Sequence, residues 1–221
     1  NFLSSVKALC QAQGALLVFD EIITGFRFGL SGAQGMFGVT PDLATFGKSM
    51  GNGFPISAVV GRRDVMRVFE DIFFSFTFGG ETSALAASLT TIAVLEKHHG
   101  PQYLATAGTT LRQSLEKSIA RYGLQKKIVV MGHPSWLLLG FKDEAGQDDY
   151  MLKSLYQQEL LRRGYLTIGS FNLCLAHDAD ILAALHQALD EVCASMAEAM
   201  LEGYVASRLQ GKPIEPVFKV R

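Results

Sequence analysis

The apolar run at 15–19 (ALLVF), closed by Asp20 and Glu21, constrains the fold of this chain more than any other stretch. Five consecutive apolar residues are too few for a helix. Lacking any polar alternation, they read as a strand buried on both faces, as in a parallel sheet with helices outside it. The residues around it agree. Residues 1–13 read as an amphipathic helix with Leu3, Val6, Leu9 and Cys10 on one face and Gly14 as its stop. Residues 43–46 and 56–60 (ISAVV) read as further strands, and 63–69 as a helix. Helix, strand, loop, strand, strand, helix is an α/β pattern.

From Thr82 the texture changes. The Ala- and Leu-rich segment 82–98 is one helix, and His99-Gly100-Pro101 breaks it, because a Gly-Pro step ends a helix and redirects the chain. The domain boundary is placed there, giving 1–98 and 99–221. In the second part a helix runs to about 122, strands are expected at 128–131 and 136–141, and a helix at 149–163 closes at Gly164. A strand at 171–175 and a helix at 178–201 follow. That last helix carries Leu182, Leu185, Leu189, Val192 and Met196 at helical spacing, with Asp178 as its N-cap. This part reads as a small α+β domain.

Composition excludes several classes. Hydrophobic residues are 48% and charged ones 19%, which rules out disorder and a highly charged coiled coil. Twenty basic residues against 21 acidic ones, without a dense Lys/Arg stretch, give no phosphate-backbone partner, so no nucleic acid is expected. No apolar run approaches the roughly 18 residues of a membrane span, and neither a membrane partner nor a signal peptide is expected. Cys10, Cys174 and Cys193 are odd in number and lack a C-x-x-C pair. That excludes a disulfide scaffold or zinc knuckle and points to a reducing, cytoplasmic setting. No His/Asp/Glu spacing suggests a metal.

Eight of the 22 glycines lie between Gly25 and Gly53. Glycine permits positive φ and close backbone approach, so the cluster marks either ordinary turns or tight loops around a ligand. Gly47-Lys48-Ser49 is not a phosphate loop, because that motif needs glycine at position 42, which is Asp42. A dinucleotide fingerprint fails too, since Gly51-Asn52-Gly53 is followed by Ile56 where glycine is required. Lys48 is then either a surface lysine or a desolvated amine able to condense with an aldehyde as a Schiff base. Asp20 ends its strand at the carboxyl edge of the sheet, where α/β proteins place ligands, or it simply caps the next turn. Together the two suit pyridoxal 5′-phosphate (PLP), whose ring nitrogen needs a carboxylate.

The segment LLVFDEIITGFRFGLSGAQGMFGVTPDLATFGKSMGNGFPISAVVG resembles the cofactor-binding core of the class III aminotransferases, the fold-type-I PLP enzymes. It is most similar to the branch containing glutamate-1-semialdehyde aminomutase. The resemblance rests on Asp20-Glu21-Ile22, Thr24-Gly25-Phe26-Arg27, Pro41-Asp42 and Gly47-Lys48, in order and spacing. It implies Asp20 as partner of the pyridinium, Lys48 as the Schiff-base lysine and Ile22 packed on one ring face. Downstream, Thr77-Phe78-Gly79-Gly80-Glu81-Thr82 is similar to the segment whose threonine binds the cofactor phosphate of the neighbouring subunit, which assigns that role to Thr77 and implies a homodimer with shared sites. Left to itself, Thr77 would be a strand-end residue bonding its own backbone.

Departures from the family's pattern matter as well. Ile23 stands where the ornithine- and ω-aminotransferase branch has Gln, which favours the aminomutase-like branch. Glu81-Thr82 replaces the usual Asn/His-Pro. Arg27 is a candidate for a substrate carboxylate or for a surface ion pair, and His177 for capping or packing. Family members carry about as many residues again before this point, so the chain resembles the C-terminal half of an enzyme. The expectation is amino-group transfer between a small-molecule amino donor and a keto or aldehyde acceptor, through Lys48. Aminomutase-type intramolecular transfer is one alternative. A catalytically incomplete fragment lacking the N-terminal phosphate loop is the other. The expected architecture is α/β: part of a mostly parallel large-domain sheet, then a C-terminal α+β small domain.

Overall fold

The computed structural model describes residues 2–216. The chain folds as two compact units, Asn1–Tyr103 and Leu104–Arg221.

The first unit opens with α1 (Phe2–Ala12), which stops at Gly14, where φ is +64°. Strand β1 (Val18–Asp20) pairs in parallel with β2 (Leu43–Phe46), and β3 (Ala58–Gly61) runs antiparallel to β2, so the sheet order is β1-β2-β3. Two expectations need correction here. The strand at 15–19 shrinks to three residues, and it is not buried on both faces: Val18 is 52% exposed and Leu16 47%. The reason is that its faces are uncovered: among the described residues β1 has substantial contact with β2 alone, and no helix packs on it. The helix expected at 63–69 divides into α3 (Arg63–Met66) and a 3₁₀ turn at Arg67–Glu70.

A short helix, α2 (Gly32–Phe37), lies between β1 and β2, and a 3₁₀ turn at Lys48–Met50 follows β2. The unit closes with α4 (Thr82–Lys97), apolar on most of its surface although its buried residues are Ala84 and Ser88. Leu85 and Leu89, one turn apart on α4, are exposed.

Helix α5 (Gly100–Arg121) begins after the His99 break and continues into the second unit. There β4 (Ile128–His133), β5 (Trp136–Phe141) and β6 (Ser170–Asn172) form an antiparallel sheet in the order β4-β5-β6. Helices α6 (Tyr150–Arg162), α7 (Ala179–Leu201) and α8 (Val205–Arg208) complete it. Strand β5 alternates, burying Leu137, Leu139 and Phe141 while the residues between them are half-buried. Those side chains share a core with Leu155, Tyr156 and Leu160 of α6 and Leu189, Val192 and Met196 of α7. The Phe141 and Tyr156 rings lie 5.0 Å apart. Each fully buried leucine here contributes roughly 2 kcal/mol. As its spacing requires, α7 starts at Asp178, whose carboxylate accepts the Ile181 amide at 2.9 Å. Among the described residues no helix is long and apolar enough to cross a membrane.

Candidate functional site

Two parallel strands deliver their C-terminal residues to the same sheet edge. The register of β1 and β2 sets Asp20 beside Thr45, and only Phe46 and Gly47 separate Thr45 from Lys48. Asp20 Oδ1 accepts the Ile22 amide at 3.0 Å and the Thr45 hydroxyl at 3.4 Å, which orients the carboxylate at that edge. Its side chain stays solvent-accessible. The Ile22 side chain leans over the Gly47 step, where a methyl on Gly47 would sit 3.7 Å from Ile22 Cγ2.

Gly47 is extended and Lys48 turns sharply out of β2, with φ of +43°. A left-handed backbone is uncommon for a residue with a Cβ and persists where its surroundings impose it. The turn is closed by the Met50 amide donating to Gly47 O at 3.0 Å and the Gly51 amide to Lys48 O at 3.2 Å. Ser49 donates its hydroxyl to Gly25 O at 3.0 Å. The Lys48 amine is exposed, so this chain does not supply the desolvation that a buried lysine would have. Among the described residues no carboxylate pairs with it.

Beside Asp20 lies Glu21, whose part in the site shows only in the fold. Glu21 is 1% exposed. Its carboxylate accepts the Thr24 hydroxyl and the amides of Ala33 and Gln34, each amide at 2.8 Å. Those amides are the first turn of α2, where a carboxylate satisfies donors that the helix leaves open. Gly32, at φ +67°, faces the same carboxylate so closely that any Cβ there would collide with it. The only sequence signal was indirect: a glycine-rich stretch downstream of an acidic residue.

The other candidates lie elsewhere. Thr77 sits in an exposed turn ahead of α4, not at a strand end, amid exposed Phe73, Phe74, Phe76 and Phe78. No hydrogen bond joins it to Asp20, Ile22 or Lys48 among the described residues. Helix α4 itself packs beside the Lys48–Met50 turn, and Glu81 caps it by accepting the Ser83 and Ala84 amides. Arg27 is half-buried in the turn after Phe26, its amide donating to Thr24 O at 3.2 Å. In the second unit His177 Nδ1 accepts the Cys174 amide at 3.1 Å, closing the turn before α7.

Asp20, Ile22 and Lys48 therefore share one edge: an oriented carboxylate, an apolar side chain and an amine without an ion pair. This donor set fits an aromatic aldehyde with a protonated ring nitrogen, since the acid matches the ring N–H and the amine matches the carbonyl.

The family described as aminotransferase class-III matches residues 1–158. A glutamate-1-semialdehyde 2,1-aminomutase of Caldivirga maquilingensis is 34% identical over 206 residues, covering 87% of this chain and 47% of that protein. A 3-aminobutyryl-CoA aminotransferase of Cloacimonas acidaminovorans is 36% identical over 202 residues, covering 90% and 47%. Among solved structures, the FumI protein of Sphingopyxis sp. in its PLP internal aldimine form superposes with a TM-score of 0.82 at 26% identity, over 90% of this chain and 48% of that one. The β-phenylalanine aminotransferase of Variovorax paradoxus gives 0.77 at 27% identity, over 89% and 48%. The chain spans about half the length of the curated relatives it matches.

Proposed function

The chain belongs to the aminotransferase class-III family, and from that premise we propose that it works in PLP-dependent amino-group transfer. Its fold is that of the fold-type-I PLP-dependent transferases. The observation that carries the reading is the β1–β2 register, which brings an acid and an amine to one edge.

When bound, PLP supplies an electron sink for the pair released at the substrate Cα. Asp20, oriented by Ile22 and Thr45, holds the proton on the ring nitrogen that makes the sink effective. Ile22 covers one ring face. Lys48 would hold the cofactor through its amine, and the same amine, when free, would serve as the general base and acid that moves a proton to and from the substrate Cα. Thr77 serves the phosphate of a second copy of this chain, and the exposed phenylalanines around it support a homodimer built on that face. Arg27 is the candidate for a substrate carboxylate. The three unpaired cysteines fit a reducing, cytoplasmic setting. Borohydride reduction of PLP-loaded protein followed by peptide mapping tests the reading: the pyridoxyl label belongs on Lys48 and vanishes in Lys48→Ala. Label on another lysine refutes it.

Aminomutase chemistry is a second reading, favoured by the Caldivirga relative. Stoichiometric conversion of a supplied keto acid to an amino acid speaks for transamination, and its absence with isomerised substrate speaks for the mutase. A third reading is that the chain is catalytically incomplete until another polypeptide covers it. It draws on the exposed Leu16, Val18, Leu85 and Leu89 of the first unit, an apolar surface unusual for a free domain. Loss of PLP binding by the isolated chain, restored by a longer form, would establish it.

A further inference from the structure

Glu21 is a buried carboxylate with no ion pair among the described residues, placed next to Asp20 and held entirely by neutral donors. Burying a charge is costly unless its oxygens are filled, so its position must accomplish something that a cheaper residue would not. What it holds is the loop that leads to Lys48.

The backbone of Glu21 still belongs to the sheet, its amide donating to Thr45 O at 2.9 Å, while its carbonyl accepts the Gly25 amide at 2.8 Å. Its carboxylate takes Thr24 from one side and the start of α2 from the other. The Thr24–Gly25 turn is thereby clamped at both ends. Gly25 is pressed so tightly under Phe46 that a Cβ there would lie 2.5 Å from Phe46 Cδ1, and the Phe26 and Phe46 rings sit 5.7 Å apart. Gly25 O then receives Ser49, the residue after Lys48. A continuous path runs from Glu21 through Thr24 and Gly25 to Ser49, and ends on the left-handed Lys48.

We propose that Glu21 is a positioning residue for Lys48: its carboxylate fixes the Thr24–Gly25 turn, and Ser49 transmits that fixation to the backbone that aims the amine. The value of aiming Lys48 rests on the PLP reading, whereas the mechanical link does not. Glu21→Gln is the direct probe, because an amide offers one acceptor oxygen where the carboxylate offers two. Ser49→Ala cuts the link at its far end without touching Glu21.

Hydrogen exchange on the full chain reads the link without cofactor. In either variant the Met50 and Gly51 amides exchange about tenfold faster, while the β4–β5 amides are unchanged. Ser49→Ala leaves Ala33 and Gln34 protected and the melting midpoint where it was. The double variant is no worse than Glu21→Gln alone, the non-additivity of two cuts in one chain. Borohydride trapping of added PLP on Lys48 at limiting concentration falls several-fold in both single variants. Faster exchange at 33–34 with unchanged 50–51 in Glu21→Gln, additive effects in the double variant, or wild-type trapping in both variants overturns the proposal. Should Glu21→Gln fail to fold, Thr24→Val and Ser49→Ala decide it, since unchanged 50–51 protection in both also overturns it. If wild-type protein takes no label at Lys48, the cofactor reading fails, and the exchange measurements still decide on Glu21.

Discussion

Leu17 and Asp42 bond each other in both directions: the Leu17 amide donates to Asp42 Oδ2 at 2.8 Å, and the Asp42 amide donates to Leu17 O at 2.8 Å. From the other side Arg62 donates its guanidinium to Asp42 Oδ1 at 2.7 Å and its amide to Asp42 O at 2.9 Å. One aspartate thus ties the approach to β1, the start of β2 and the end of β3, and so sets the register that carries Asp20 and Lys48 to a common edge.

The Leu17 amide, and then Arg62, hold the Asp42 carboxyl below its ordinary value of 3.8. A depressed folded value means that the stabilisation is present above the ordinary value and is lost as pH falls through the lower one. Hydrogen exchange in β1 and β2 is therefore flat from pH 7 down to about 4 once the intrinsic rate is divided out, and accelerates below that. Asp42→Ala shows the accelerated exchange at every pH. If the variant keeps wild-type protection at pH 7, Asp42 does not hold the register.

Glu81 gives a second acid-sensitive point. Its carboxylate accepts the Ala84 amide at 2.6 Å and the Ser83 amide at 2.9 Å, and these bonds lower its pKa from the ordinary 4.5. The sign is the same: the cap is complete above the ordinary value and fails as pH drops through the folded one. Amides of the first turn of α4 lose protection in acid while those at its centre keep theirs. Glu81→Gln removes this pH dependence, and persistence of the acid step in that variant assigns it to another group.

Much of the architecture was legible locally. The caps and spacings of α4, α6 and α7 lie within their own segments, and the strand at 43–46 matches its expected ends. Helix α2 was not legible, because GAQGMF has two glycines and no apolar period, and its first turn is satisfied by Glu21 from outside. The edge position of Asp20 and Lys48 followed from strand ends and from the class III resemblance. Glu21 carries no local signal of burial, since a glutamate after a strand is ordinarily solvated, and only the tertiary fold brings three neutral donors to it. The left-handed turn at Lys48 likewise depends on Ser49 reaching Gly25, a partner distant in sequence.

Gly108 offers a test in which the sign is the point. It lies in the middle of α5, where glycine is about 1 kcal/mol worse than alanine, so replacing it in an exposed helix would stabilise. Here it is buried against the β4–β5 turn, and a Cβ would overlap the Pro134 carbonyl. That atom is backbone and cannot swing aside. Gly108→Ala therefore destabilises the second unit by on the order of 2 kcal/mol, lowering its melting midpoint by several degrees. A raised midpoint would mean that the helix and the turn stand further apart.

The cysteines separate the surface of the second unit from its core. Cys174 is exposed, with Sγ 3.7 Å from His177 Nδ1. Cys193 is buried on α7, and burial, with the neighbouring Asp190 charge, pushes its thiol up to about 12. Since the thiolate is the reactive form, Cys193 is nearly all un-ionised at pH 8 as well as inaccessible. A chromogenic disulfide reagent modifies Cys174 promptly in native protein and Cys193 on the order of a thousandfold more slowly. The slow phase collapses in denaturant. Mass mapping assigns the phases, and rapid native labelling of Cys193 would show that α7 does not stay packed on α6 in solution.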